Sequence, residues 1–399
     1  MRKTDKKRKI LFLCGVFAKE NTEEVVKNAR YPVEFSANLF QQKIVEGLES
    51  SGEEYEVLSA PFIGAYPKAS SKMIFRGFEE KTDYCKYVNF NNIWGYRNFS
   101  RAVSLKKQIR KFASEKEEKL IIVYCAHTPF LEAAAYAKKK DKNIKICLIV
   151  PDLPEYMNLR SDRSKLYNIL KKYDIKKMHG LMRNVDSFVI LTEHMKDLLP
   201  IGSKPYIVKE GIVSKSQMVQ KKYDSQNEKY VVYTGKMDEK FGVKNLVDAF
   251  DYIKEDIKLV LCGSGDCENY IREKAEKDSR IIYCGQILPE QAKQWQEKAT
   301  VLINPRPNNE EYTKYSFPSK NIEYLLTGKP VVAYMLDGMP EEYKRFIFVI
   351  GNELSSAEEI AKATIKVIEE KQSVDSTYLE YVKENIEETI FIEDIMGMS

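Results

Sequence analysis

The chain is 399 residues long, with 43% apolar and 31% charged residues. That content supports full hydrophobic cores and excludes a disordered or collagen-like chain, and no apolar run approaches the ~18 residues of a membrane-spanning helix. The net charge of +5 is divided unevenly, +13 over residues 1–210 against −8 over the rest. A basic half joined to an acidic half predicts two domains with different partners.

The chain opens on a basic head followed by an apolar run of nine residues, Ile10 to Ala18. Leu13 precedes Cys14, where a lipoprotein signal wants a small residue, and no small-residue cleavage site follows. The run therefore reads as a first buried strand, 10–14, ending in Gly15, rather than a signal peptide. Further strands are predicted at 55–59, 119–125, 145–150, 187–191 and 205–208. Helices are predicted near 33–50, 98–115, 129–140, 161–183 and 193–199. The second half repeats the rhythm. Its strands are 230–234, 257–262, 280–284, 300–303, 331–334 and 346–350. Its helices lie near 243–253, 267–277, 289–298, 318–327, 355–370 and 375–390. Such alternation predicts α/β architecture, with two doubly wound parallel sheets facing across a cleft.

Residues 209–228 are polar and without apolar periodicity, and read as the linker. The expected division is 1–210, 211–378 and a closing helix, 379–399, that can return to the first domain. Residues 65–97 are the least regular part of the first half, and are rich in aromatic residues. None of the seven cysteines forms a C-x-x-C pair. Most lie in apolar runs, so they read as buried thiols in a reducing cytoplasm, and no metal site is signalled.

The segment Ser316-Phe-Pro-Ser-Lys-Asn-Ile-Glu carries the most chemistry. Pro318 suits a first helical turn, which would leave backbone N–H groups near Ser319 and Lys320 facing an anion. Glu323 lies one turn further along the same face, where a carboxylate can accept two hydroxyls of a ribose attached to that anion. A second segment, Thr234-Gly235-Lys236 through Lys240, ends a strand on a glycine and supplies two cations, as a departing diphosphate requires. Gly263-Ser-Gly265 lacks the third glycine of a dinucleotide fingerprint and reads as a tight turn. His127 and Asp152 each follow a strand directly and so sit on the ligand-facing rim.

Together these residues resemble glycosyltransferase family 4, of the GT-B fold, and within it a subgroup that builds capsular and other surface polysaccharides. The resemblance spans nearly the whole chain and is strongest over 230–335. It implies that Lys236 and Lys240 hold the donor diphosphate, that the backbone of Gln286 and Ile287 holds the nucleobase, and that Glu323 holds the ribose. His127 takes the place of a rim histidine near the donor sugar. Gly15 stands where the family keeps a glycine pair near the donor phosphate. Tyr315 stands where the family keeps a glutamate that contacts the donor sugar. The resemblance further implies retention of anomeric configuration, no metal and no other cofactor. Lys236, Lys240 and the helix start near Ser319 would stabilise the leaving diphosphate, while the acceptor hydroxyl attacks from the same face.

The first half would bind the acceptor. Its cations concentrate at Lys106, Lys107, Arg110 and Lys111, and again at Arg163, Lys165, Lys171, Lys172, Lys176 and Lys177. Leu166, Ile169, Leu170, Ile175 and Met178 are interleaved with the second set. A basic amphipathic helix fits an anionic membrane surface and a lipid-linked glycan acceptor. No nucleic-acid motif accompanies the charge. The expectation is a cytoplasmic enzyme, peripheral at the inner face of the cell membrane, with a nucleotide-sugar donor and uridine as the expected base. Two rivals stand beside it: a nucleotide-sugar epimerase of the same fold, and a non-catalytic glycosyltransferase-like partner subunit, motivated by Tyr315.

Overall fold

A computed structural model describes residues 8–31, 33, 35–114, 117–156, 165–218, 228–351, 356–370, 372 and 375–399. These form two units, Met1–Ser214 with Asn385–Ser399, and Lys215–Glu384.

The first unit carries strands β1 (Arg8–Cys14), β2 (Glu54–Ser59), β3 (Ile74–Phe75), β4 (Cys85–Tyr87), β5 (Phe90–Asn91), β6 (Glu118–Tyr124), β7 (Lys145–Val150), β8 (Ser187–Ile190) and β9 (Tyr206–Val208). Its helices are α1 (Thr22–Asn28), α2 (Ser36–Ser50), α3 (Arg97–Ser114), α4 (Thr128–Lys140) and α5 (Lys165–Met182). Seven strands form one all-parallel sheet in the order β4-β2-β1-β6-β7-β8-β9. β1, β6 and β7 are almost continuously apolar because both faces of the sheet are covered, and Ile10–Cys14 is buried throughout. The order runs outward in both directions from β1 and β6, so the ligand-binding switch point lies at their carboxyl ends.

The second unit carries β10 (Lys229–Thr234), β11 (Ile257–Cys262), β12 (Ile281–Gly285), β13 (Val301–Asn304), β14 (Val331–Ala333) and β15 (Phe348–Val349). Its helices are α6 (Val243–Ala249), α7 (Glu268–Lys277), α8 (Pro289–Lys298), α9 (Ser319–Leu325), α10 (Ala357–Glu369) and α11 (Tyr378–Asn385). Its sheet is also all parallel, in the order β12-β11-β10-β13-β14-β15. The same rule puts its switch point at the ends of β10 and β13. Two such parallel α/β units make a GT-B fold.

Three expectations change. The single helix predicted at 375–390 is two, because α12 (Glu388–Gly397) starts afresh. The break is tertiary: Val213 donates to the Ile386 carbonyl and accepts from Glu388 N–H, and Glu387 caps α12 by accepting from Ile390 N–H. α12 then packs on α2, where a side chain at Gly47 would overlap the Glu388 carbonyl. Its buried Phe391, Ile392 and Ile395 contribute about 1.5–3 kcal/mol each. The second change follows from the first. Residues 209–214, read as linker, are packed in the first unit, with Lys209 reaching Asp394 at 2.5 Å. Residues 219–227 of that stretch lie outside the described residues. The third concerns 193–199, which forms a 3-10 turn over Glu193–Asp197.

Candidate functional site

In the second unit the turn after β10 is built on glycines. Gly235 N–H donates to the Cys262 carbonyl at 2.9 Å, and Met237 N–H to the Ser264 carbonyl at 2.9 Å. A Cβ on Gly263 would overlap the Gly235 carbonyl oxygen, and one on Gly265 would overlap Met237. The two strand-end turns are thus stacked backbone against backbone, which only glycine allows. Asp266 accepts from Glu239 N–H at 2.9 Å, so the Gly263–Asp266 turn supports the lysine-bearing turn. Lys236 and Lys240 are exposed on it, with Lys240 5.2 Å above the Phe241 ring.

α9 is anchored beside that turn by buried polar groups. The Tyr324 hydroxyl accepts from Thr234 N–H at 2.8 Å, and Gln296 donates to the Thr234 hydroxyl at 2.8 Å. Asn304 donates to Asn321 at 2.7 Å, tying α9 to the end of β13. Tyr324 immediately follows Glu323, so the bond that fixes α9 also fixes Glu323 relative to Gly235. Sequence reasoning named neither Tyr324 nor Asn321; an aromatic and an amide within an apolar helix face carry no signal until their partners are known.

The start of α9 differs from expectation. Ser319 N–H donates back to the Phe317 carbonyl at 3.0 Å, across a Pro318 held at φ −77° and ψ 83°. That amide, expected to face an anion, is therefore engaged within the chain. Lys320 does not add an unpaired charge there either, because its ammonium donates to Glu323 Oε2 at 2.8 Å. Burial pulls the Lys320 ammonium downward, but the neighbouring Glu323 and Tyr324 outweigh it and the net shift is upward, so Lys320 stays charged. Gln286 is exposed and accepts from the Ser264 hydroxyl at 3.1 Å. Ile287 lines a cavity of about 330 Å³ with Cys284, Gln291 and Trp295. Tyr315 is half-buried and ends a 3-10 turn over Glu311–Tyr315.

Arg306 was missed, and topology explains why. It follows β13 directly, on the opposite side of the switch point from Gly235. Its guanidinium donates to the Ser316 hydroxyl at 2.6 Å and lies 5.6 Å from the Phe241 ring centroid and 5.0 Å from that of Tyr312. It joins the lysine turn to the segment leading into α9. Nothing in the run Asn304-Pro-Arg-Pro signals this; only the strand order does. Arg306→Met is expected to lower affinity for a nucleoside diphosphate roughly tenfold, because the lysine turn loses the charge-assisted bond to Ser316 that steadies it. Calorimetric titration of the variant checks this, and UMP affinity should move far less.

In the first unit the rim lies at the ends of β1, β6 and β7. Cys125 adopts φ +63°, the left-handed region that a non-glycine residue enters at a cost, two residues before His127. The His127 ring is packed edge-on against Phe62 and Phe130, at centroid distances of 5.6 and 4.8 Å. Its Nδ1 is sealed, with no hydrogen-bond partner among the described residues. Burial, reinforced by the charges of Arg101 and Arg97, holds its pKa well below the ordinary value, so the imidazole is neutral. A neutral ring can accept or donate one hydrogen bond but cannot supply a cation. Asp152 is exposed just past β7. Gly15 follows β1 with its N–H taken by Gln41 at 2.8 Å, and a Cβ there would overlap the Phe62 ring. Its amide closes the strand end and is engaged within the chain.

Among the described residues no group of three or more His, Cys, Asp or Glu side chains is placed to hold a metal ion, and no helix is long and apolar enough to cross a membrane.

No curated protein matches the sequence. Among solved structures, the chain is similar to a sucrose-phosphate synthase from Thermosynechococcus elongatus, with TM-score 0.66, 14% identity and 98% of each chain covered. It is similar to HepE of Anabaena in complex with UDP, with TM-score 0.62, 13% identity, and 98% of this chain and 100% of that one covered. A third is the lipopolysaccharide outer core galactosyltransferase WaaB, with TM-score 0.57, 13% identity and 98% of each chain covered. Residues 228–370, which carry the lysine turn, Arg306 and α9, match the family model of Glycosyl transferases group 1, within a chain of GT-B fold.

Proposed function

We propose that this protein is a retaining, metal-independent glycosyltransferase that moves a sugar from a uridine diphosphate donor to a lipid-linked glycan in surface-polysaccharide assembly. The observation that carries the donor half is the Tyr324–Thr234 tether, which holds the Glu323 carboxylate at a fixed place relative to the Gly235–Lys240 turn. A ribose on Glu323 and a diphosphate on Lys236 and Lys240 use both groups at once. HepE, similar in fold, has been solved with UDP and with UDP-glucose, which supports this class of donor.

The mechanism needs little from side-chain bases. Lys236 and Lys240 offset the charge that develops on the leaving diphosphate, and Arg306 steadies the same turn. The acceptor hydroxyl attacks on the face the leaving group vacates, and a donor phosphate oxygen takes its proton. In the acceptor unit, neutral His127 orients a hydroxyl by a hydrogen bond.

The test is turnover by the full chain. Supplied with UDP-sugars and a membrane lipid extract, it is expected to release UDP, and nuclear magnetic resonance of the product should show the donor's anomeric configuration kept. Inversion would overturn the mechanism. UDP binding without release from any donor would make the chain a non-catalytic subunit, the reading that Tyr315 motivates.

A further inference from the structure

α3 buries Ala102, Leu105, Ile109 and Phe112, but its first two turns depart from that pattern. Arg101 is buried, donating to the Pro61 carbonyl at 2.5 Å beneath the Phe90 ring, and Arg97 donates to the Ile63 carbonyl at 3.1 Å. Phe99 and Val103, which a core would take, are instead 61% and 51% exposed. Tyr96 packs its ring 5.5 Å from Phe99 on the same outward side, and Trp94, just before the helix, is 63% exposed. α5 does likewise. Ile169, Leu170 and Tyr173 are 63%, 53% and 70% exposed.

These residues share one edge. α3 and α5 flank α4, and Lys106 and Lys177 both clamp Glu132 of α4. Phe99 and Leu170 each lie seven residues before those lysines, so they stand at one height, about 10 Å along their helices from the clamp. α4 begins only four residues before Glu132, so the apolar ends of both neighbours project past it. Exposed Lys107 lies one turn past Val103 and exposed Lys172 and Lys176 lie within one turn of Tyr173, with exposed Arg110 further along α3, so cations border this edge on its α3 and α5 sides. The carboxylates among them are already engaged, Glu132 by the two lysines and Asp174 by the Thr128 hydroxyl at 2.6 Å. Leu166 and Lys165 offer no side-chain description, and Arg163 lies outside the described residues.

We propose that the outward ends of α3 and α5 are a bilayer-docking edge: Trp94, Phe99, Val103, Leu170 and Tyr173 enter the headgroup–acyl boundary of an anionic membrane while the flanking lysines and arginine meet its lipid headgroups. Aromatic and aliphatic tips bordered by cations match that boundary, whereas a second copy of this chain would bring the same cations face to face. Each cation near the surface adds roughly fivefold to partitioning. The edge borders the carboxyl ends of the first unit's strands, so a lipid-linked acceptor would reach the rim without leaving its membrane. This rests on the acceptor half of the function proposed above.

The test follows Trp94 fluorescence in the full-length protein titrated with phosphatidylcholine vesicles, with and without phosphatidylglycerol. A blue shift with the anionic vesicles alone, absent in Trp94→Phe, is expected. Phe99→Ser with Leu170→Ser should lower partitioning at least tenfold, the loss of two buried apolar side chains, while thermal stabilisation by UDP stays as in the unsubstituted protein. Vesicle binding with Trp94 unmoved and the double variant unaffected would overturn this edge and leave the membrane reading standing. No vesicle binding by a protein that still binds UDP would overturn both and spare the donor site. A shift that follows protein concentration without vesicles would assign the edge to self-association and overturn the proposal.

Discussion

Gly263→Ala is expected to destabilise the second unit by roughly 3–5 kcal/mol, the sum of backbone strain and overpacking. Gly263 sits at φ +149°, and a Cβ there would run into the Gly235 carbonyl and approach Met237. Neither can yield cheaply. Gly235 is fixed by its bond to Cys262 and Met237 by its bond to Ser264. The methyl group must therefore push the lysine turn away from the end of β11. Nucleotide affinity should fall with stability, because Lys236 and Lys240 ride on that turn. Gly52→Ala provides the comparison: φ is +71° there but nothing lies within 4 Å, so a loss of only about 1 kcal/mol is expected. Urea unfolding of both variants decides the matter. Equal losses would mean that the stacking of the two turns contributes nothing.

Glu323→Ala is expected to weaken nucleoside diphosphate binding about a hundredfold or more, because two hydroxyl bonds to a charged acceptor are lost together. Stability should change little. Glu323 is half-exposed and its pairing with Lys320 is a surface contact worth about 0–1 kcal/mol. The ribose assignment makes a sharper demand. The unsubstituted protein should bind 2′-deoxy-UDP more weakly than UDP, and the variant should no longer tell them apart. Discrimination that survives in Glu323→Ala would place the ribose elsewhere. Tyr324→Phe should reproduce part of the loss, since it frees α9 from Thr234 without touching the carboxylate.

Much of the fold is legible in the sequence because buried parallel strands are short, apolar and bounded. Lys145–Val150 and Ile257–Cys262 match the predicted strands at both ends, and Pro289–Lys298 matches its helix. The departures arise where distant chain decides local structure. The break at Ile386–Glu387 comes from a bridge to Val213, far away in sequence. Lys209 and Glu210 look like linker residues, yet both are buried.

The same holds for the site. The Gly235–Lys240 turn and the Glu323 helix can be named from residue types, because a glycine at a strand end and a carboxylate one turn into a helix are local patterns. Arg306 cannot, because its importance depends on β13 lying beside β10. The occupied amide of Ser319 depends on the backbone angles of Pro318. The outward apolar residues near the starts of α3 and α5 appear in the sequence as ordinary alternations of charged and apolar residues; only packing tells which of them are outward.

On the proposed function, the second unit binds a nucleoside diphosphate through Lys240 and Glu323. The direct measurement is thermal stabilisation of the purified chain by UDP, GDP, ADP, CMP and NAD, repeated for Lys240→Ala and Glu323→Ala. A stabilisation by UDP, much smaller with the other nucleotides and lost in both variants, is the predicted result. No stabilisation by any nucleotide in folded protein, or stabilisation that both variants keep, would contradict the donor site and the function built on it.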